Sequence, residues 1–172
     1  MLGLRIYLTL MLLNQAPLKC PTRQVSRPSV WDFRIRLLGR EHRVNGTVTI
    51  KEDLDNVHHT VGIETYNDAS GSGHFKQMPF FVPQQSVCKA VAGFWFYVKA
   101  SIPYGEKTDM PFESHPCPIP KGQYYVKDVT IKPELWPIAM PRGYFKYVLT
   151  FKKDAEVVSR QEVVIYVVDR RI

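Results

Sequence analysis

Hydrophobic and polar residues begin to alternate at Trp31. Trp31, Phe33, Ile35 and Leu37 fall on one side, with Asp32, Arg34 and Arg36 on the other. This two-residue period is that of a half-buried strand. Gly39 ends it. Val44, Val48 and Ile50, interleaved with Asn45, Thr47 and Thr49, predict a second strand. Asp53 to Asn56 has the composition of a turn, after which Val57, His59, Val61, Ile63 and Thr65 line one face of a predicted third strand. The small polar residues from Asn67 to Gly73 read as a loop.

The period changes between Ser86 and Ala100. Val87, Val91, Phe94, Trp95, Val98 and then Ile102 recur at three- and four-residue steps. That spacing predicts a helix. A strand over Phe94 to Val98 competes, because aromatic residues favour strands and Gly93 weakens a helix. From Ile102 to Pro120 five prolines rule out regular structure. Tyr124 to Ile131 resumes a strand, and a loop runs through Pro133, Pro137 and Pro141. Tyr144 to Lys152 and Glu162 to Val168 then read as a hairpin, joined by a polar turn near Lys153, Asp154 and Ala155. Six or seven short strands with proline-rich connections, one short helix near 86–100 and no internal repeat predict an all-β, two-sheet sandwich.

The first twenty residues differ from the rest. Arg5 precedes an apolar run from Ile6 to Leu13, closed by Asn14, Gln15 and Pro17. The run is far shorter than the roughly 20 residues a membrane-spanning helix needs, and it predicts a secretory signal peptide over about 1–20, with cleavage between about 16 and 26. A buried N-terminal strand is the alternative. The remainder, 21–172, reads as one domain, because a chain of 172 residues fits a single core. The secreted setting makes a disulfide plausible, with Cys88 to Cys117 the preferred pair and Cys20 left over. Asn45, Gly46 and Thr47 form a sequon, so Asn45 is a candidate glycosylation site.

The net charge of +7 falls to +5 without Arg5 and Lys19, and the basic residues are scattered. No nucleic-acid-binding motif accompanies them, so no nucleic-acid partner is expected. The three cysteines are too sparse for zinc, and His58 and His59, adjacent in a strand, would face opposite sides. No Gly-x-Ser-x-Gly, His-Glu-x-x-His or P-loop pattern is present. The chain is therefore expected not to be an enzyme and to use no metal or cofactor. An esterase would require a serine and a histidine within hydrogen-bond reach, and sequence alone leaves a glycosidase-type carboxylate pair open.

The C-terminal third carries an ordered pattern: Cys117 and Pro118, then Lys121, Gly122 and Tyr124, then Lys127, Asp128 and Val129, then Pro141, Gly143 and Phe145. It resembles the insect ML-like family related to the ganglioside-activator protein, which includes the Che A and Che B chemosensory proteins. The resemblance is clearest over 117–168. It is weaker over 44–100, where Val44, Asn45, Gly46, Thr47 and Val48 look like the family's early strand. Phe145 stands where the family more often has Tyr, and the cysteines are fewer than in the activator. The resemblance implies an Ig-like β-sandwich whose sheets splay to admit a lipid or other apolar molecule.

Under that reading Trp31, Phe33, Ile63, Phe94, Trp95, Tyr124, Trp136, Phe145 and Tyr147 are the candidate cavity residues. Phe94, Trp95 and Phe96 carry additional information, because three consecutive rings on a helix cannot all face one core; at least one should point to a cavity mouth, a membrane or a partner. The leading expectation is a secreted, extracellular carrier of a lipid or apolar small molecule, with a chemosensory role implied by the insect resemblance. The rival is a secreted interaction protein with a filled core that docks on a membrane receptor through the Phe94–Phe96 surface. An internal void lined by these rings would favour the first, and a solid core with an exposed aromatic patch the second.

Overall fold

Alternating apolar side chains need a second apolar face to cover them, and two sheets supply it for each other. The computed structural model describes residues 4–9, 29–136 and 140–169. Its strands are β1 (Leu4–Thr9), β2 (Trp31–Leu38), β3 (Arg43–Ile50), β4 (His59–Asp68), β5 (Lys76–Ser86), β6 (Gly122–Val129), β7 (Gly143–Lys153) and β8 (Glu156–Asp169), with one α-helix, α1 (Val87–Val98). They form two antiparallel sheets, one ordered β1-β8-β7-β4-β5 and the other β2-β3-β6. The all-β two-sheet sandwich predicted from the alternation is thus the architecture of the chain.

Several elements differ from expectation. β4 begins at His59, because His58 and Val57 belong to the preceding turn, and Val57 is exposed rather than on the inward face. β5 is not announced by alternation. It carries Pro79 and Pro83, residues tolerated in a strand only where one edge is unpaired, and β5 is the outermost strand beside β4. β8 starts six residues earlier than predicted. The β7–β8 hairpin turns at Asp154 and Ala155, both with positive φ (49° and 66°), the backbone that a two-residue primed turn demands.

α1 is a helix throughout, including Phe94 to Val98. Ser86 caps it, its side chain accepting from the Lys89 N–H at 3.2 Å. Gly93 faces open space, so it interrupts no packing. The Cys88–Cys117 disulfide forms, with Cα atoms 5.7 Å apart, and ties the first turn of the helix to the loop before β6. Closing a loop of about 30 residues stabilises the fold by roughly 3–4 kcal/mol on the chain-entropy model.

Of the predicted leader, Leu4–Thr9 pairs along the outer edge of β8, from Leu4 opposite Asp169 to Thr9 opposite Val164. The predicted cleavage region before residue 27 and Cys20 lie outside the described residues.

The sequon at Asn45 serves the sheet. The β3–β6 register shifts between Val44 and Gly46, and Asn45 Oδ1 accepts from the Asp128 N–H at 3.2 Å beside that bulge. A Cβ on Gly46 would lie 2.0 Å from the Arg34 carbonyl oxygen, so only glycine fits there. Asn45 Nδ2, the atom a glycan would occupy, is buried. A glycan on Asn45 would require that amide to leave the bulge.

Candidate ligand-binding cavity

Between the sheets lies a cavity of about 540 Å³, within the range typical of small-molecule sites. Each wall follows from local periodicity. On β2, Trp31, Phe33 and Ile35 line it; on β4, Val61 and Ile63; on β7, Tyr147, Leu149 and Phe151; on β8, Val163 and Ile165. All are spaced by two, as one face of a strand requires. α1 closes the side with Val87, Ala90, Val91, Phe94, Trp95 and Val98, spaced by three and four along one helical face.

The cavity exists because of what its middle is made of. Facing sheets sit about 10 Å apart, so filling the gap takes long side chains from both sides. Val44 and Val48 of β3, Val126 of β6, Val61 of β4 and Val163 of β8 are too short to meet across it. Where a large ring stands opposite another, the gap closes. Trp31 of one sheet lies 5.4 Å from Phe151 of the other, centroid to centroid, and stacks on Phe33 at 5.8 Å.

Seven of the nine predicted cavity residues line it: Trp31, Phe33, Ile63, Phe94, Trp95, Trp136 and Tyr147. Tyr124 and Phe145 do not. The Tyr124 ring folds over Gly122 at the start of β6, and its hydroxyl donates to the Pro120 carbonyl at 2.7 Å. Phe145 is packed into the solid core beside Tyr147, with ring centroids 5.2 Å apart. Alternation placed both on the inward side, but it does not report how far along the strand the hollow extends. The residues missed are mostly aliphatic, such as Val126, Leu149 and Val163. Their sequence signal is the same alternation that marks ordinary core.

The three adjacent rings on α1 divide as their geometry demands. Trp95 is buried (6% exposed) and meets Phe112 edge-on at 5.7 Å. Phe94 lines the cavity while remaining 38% exposed. Phe96 is 49% exposed, with the Lys99 ammonium 5.1 Å from its ring centre. Trp136, from the loop after β6, donates its Nε1–H to the Tyr97 carbonyl at 2.8 Å, tying that loop to the end of the helix.

Polar atoms in the wall are few and largely committed. Ser101 Oγ accepts from the Lys132 N–H (2.8 Å). Thr108 Oγ1 donates to the Tyr125 carbonyl (2.8 Å) and accepts from the Met110 N–H (3.1 Å). The Nε1 atoms of Trp31 and Trp95 are fully buried without a hydrogen-bond partner. Burial pushes the Tyr147 phenol up to about 12.

The histidine pair sits away from this wall. Because His58 precedes β4, both rings turn to one carboxylate: His58 Nδ1 lies 2.7 Å from Asp55 Oδ2 and His59 Nδ1 3.4 Å from Asp55 Oδ1. They do not face opposite sides, as a strand running through both would have required. The hydrogen bond from His58 holds the Asp55 carboxyl far below the usual carboxylate range, and Asp55 raises His58 in turn. Asp55 also accepts from the N–H groups of Val57 and His58, and Asp53 accepts from the Lys121 N–H. These are turn-forming roles. Among the described residues no three His, Cys, Asp or Glu side chains come together as a metal site, and no helix is long and apolar enough to cross a membrane.

A family model described as a protein of unknown function, DUF1091, matches residues 61–147. The match runs from β4 into β7 and takes in α1 and both bridged cysteines. No curated protein matches the chain.

Proposed function

The chain belongs to the DUF1091 family, and we propose that it is a secreted binding protein that holds a lipid or other small hydrophobic ligand between its two sheets, without covalent chemistry. One observation carries the reading: an apolar cavity of about 540 Å³ where a sandwich of this size would otherwise be filled. Each methylene transferred into such a wall contributes about 0.8 kcal/mol, so a chain of about eight gives roughly 6 kcal/mol before association costs. The apolar leader and the disulfide support an extracellular setting. The likeness to the ML-like lipid-recognition proteins supports the ligand class, and its insect branch supports a chemosensory role.

The exposed rings of Phe96 and Tyr97 favour a second reading, in which α1 docks on a membrane receptor. The two separate in one experiment. Organic extracts of the protein secreted from eukaryotic cells are compared by mass spectrometry with a mock purification and with the cavity-filling variant Leu149→Trp. The carrier reading expects a stoichiometric apolar molecule in the wild type and its loss in the variant. An empty wild type that also fails to take up fluorescent fatty acids or sterols would move the assignment to the docking protein.

A further inference from the structure

β1 and β5 are the outer strands of the larger sheet, and the two edges are built differently. The β5 edge carries Lys76, Pro79 and Pro83, a charge and prolines that discourage a further strand from adding to it. At the other edge β8 is covered by the predicted leader, with Leu4 to Thr9 paired antiparallel to Asp169 to Val164. This part of β8 reads Val163, Val164, Ile165, Tyr166, Val167 and Val168, β-branched or aromatic throughout and without a charge or a proline.

Removing the leader bares that edge without undoing the strand behind it. β7 still pairs with β8 from Glu156 to Val167, and the Arg142 guanidinium still holds the Asp169 carboxylate at 2.6 Å. β8 then presents a row of unpaired backbone N–H and C=O groups along a strand-prone run, the arrangement that takes up another strand. The residues around and after the cut, Pro21 to Pro28, are a poor replacement, because Val25 is their one branched apolar side chain and prolines stand at both ends.

Resting on the secreted reading above, we propose that the bared β8 edge pairs with the same edge of a second copy of this chain, antiparallel about a two-fold axis, so that one sheet runs through both copies. A second copy fits because it brings the same strand-prone run to the same place. Centring the pair on Tyr166 sets Val164 opposite Val168 of the second copy, and Ile165 opposite its Val167. A register one residue earlier would set Glu162 against Asp169, opposing like charges. The leader thus keeps the chain single until export removes it, and its removal licenses assembly.

The test is analytical ultracentrifugation of the protein secreted from eukaryotic cells, from micromolar to submillimolar concentration, with its N-terminus read by mass spectrometry. The expected result is a chain without residues 4–9 that sediments as a dimer. A synthetic peptide of residues 4–9 should return it to monomer by reoccupying the edge. Tyr166→Lys, which opposes two like charges on the axis, should weaken association by roughly tenfold, whereas Tyr166→Phe should leave it unchanged; circular dichroism of each variant checks that the fold persists. A leaderless chain that stays monomeric overturns the proposal and leaves the secreted reading standing, as does a dimer that responds neither to the peptide nor to Tyr166→Lys. A secreted chain that still carries residues 4–9 overturns the cleaved-leader reading, and the proposal falls with it because the edge remains occupied.

Discussion

Two regions of this sandwich bury the same kinds of side chain and end up different. At one end, Leu54 and Ile119 exchange both backbone hydrogen bonds at 2.9 Å, and their side chains are wholly buried beside Ile50. Along the wall beneath α1, valines face one another across the gap between sheets and leave it open. Apolar character is common to both. Backbone separation decides the outcome: two chains joined by a bridge lie close enough for aliphatic side chains to meet, whereas two facing sheets do not. Hydrophobic burial therefore stabilises the first region, and the second is available to a ligand.

The largest effect expected from testing that contrast comes from the link between the regions. Replacing Cys88 and Cys117 together by serine should lower stability by about 3–4 kcal/mol in chemical denaturation, and it should weaken probe uptake because α1 loses its tether to the Leu54–Ile119 end. Next, Leu54→Ala should cost about 2–5 kcal/mol, the range for a buried aliphatic side chain in a closed core. Val163→Ala, which enlarges an existing hollow, should cost at most about 1.5 kcal/mol by the same measurement. Equal losses at the two positions would remove the distinction between solid and hollow regions.

Leu149→Trp should act in the opposite sense, abolishing probe uptake while changing stability by less than about 1.5 kcal/mol, because the added ring occupies the hollow instead of displacing packed neighbours. A large loss of stability in that variant would mean that the wall is already close-packed.

The smallest effect concerns the turn that carries Leu54 toward β4. Asp55 has its pKa lowered and His58 has its pKa raised by the contact between them. The contribution of His58 is complete below its unfolded value and is lost as pH rises through its folded value. That of Asp55 is present above its unfolded value and is lost as pH falls through its folded one. The pair therefore supports the turn from mildly acidic to neutral pH. Asp55→Asn should return the His58 titration, followed by NMR, toward about 6.5, with little change in the cavity.

Much of the fold was legible along the chain. Alternation found β2, β3, β6 and β7, the three- and four-residue recurrence found α1, and the cysteine count found the bridge. β5 escaped because it is an edge strand with prolines and exposed rings at Phe80 and Phe81, so no buried face imposes a period of two. The candidate site was legible in its side but not in its extent. Trp31, Phe94 and Tyr147 line the cavity, whereas Tyr124 and Phe145 lie where the interior is filled.

Asn45 shows how a local motif takes its setting from the fold. Asn-Gly-Thr reads as an acceptor for sugar from three residues alone, but its meaning here depends on Asp128 and on the Arg34 carbonyl, which only strand pairing brings close.

What the sequence by itself determined is which residues are turned inward, because side-chain direction follows from backbone period and needs no partner. Only the tertiary structure decided whether the inward residues touch. That depends on how far apart two elements lie and on what stands opposite each side chain, and neither is written in either strand alone.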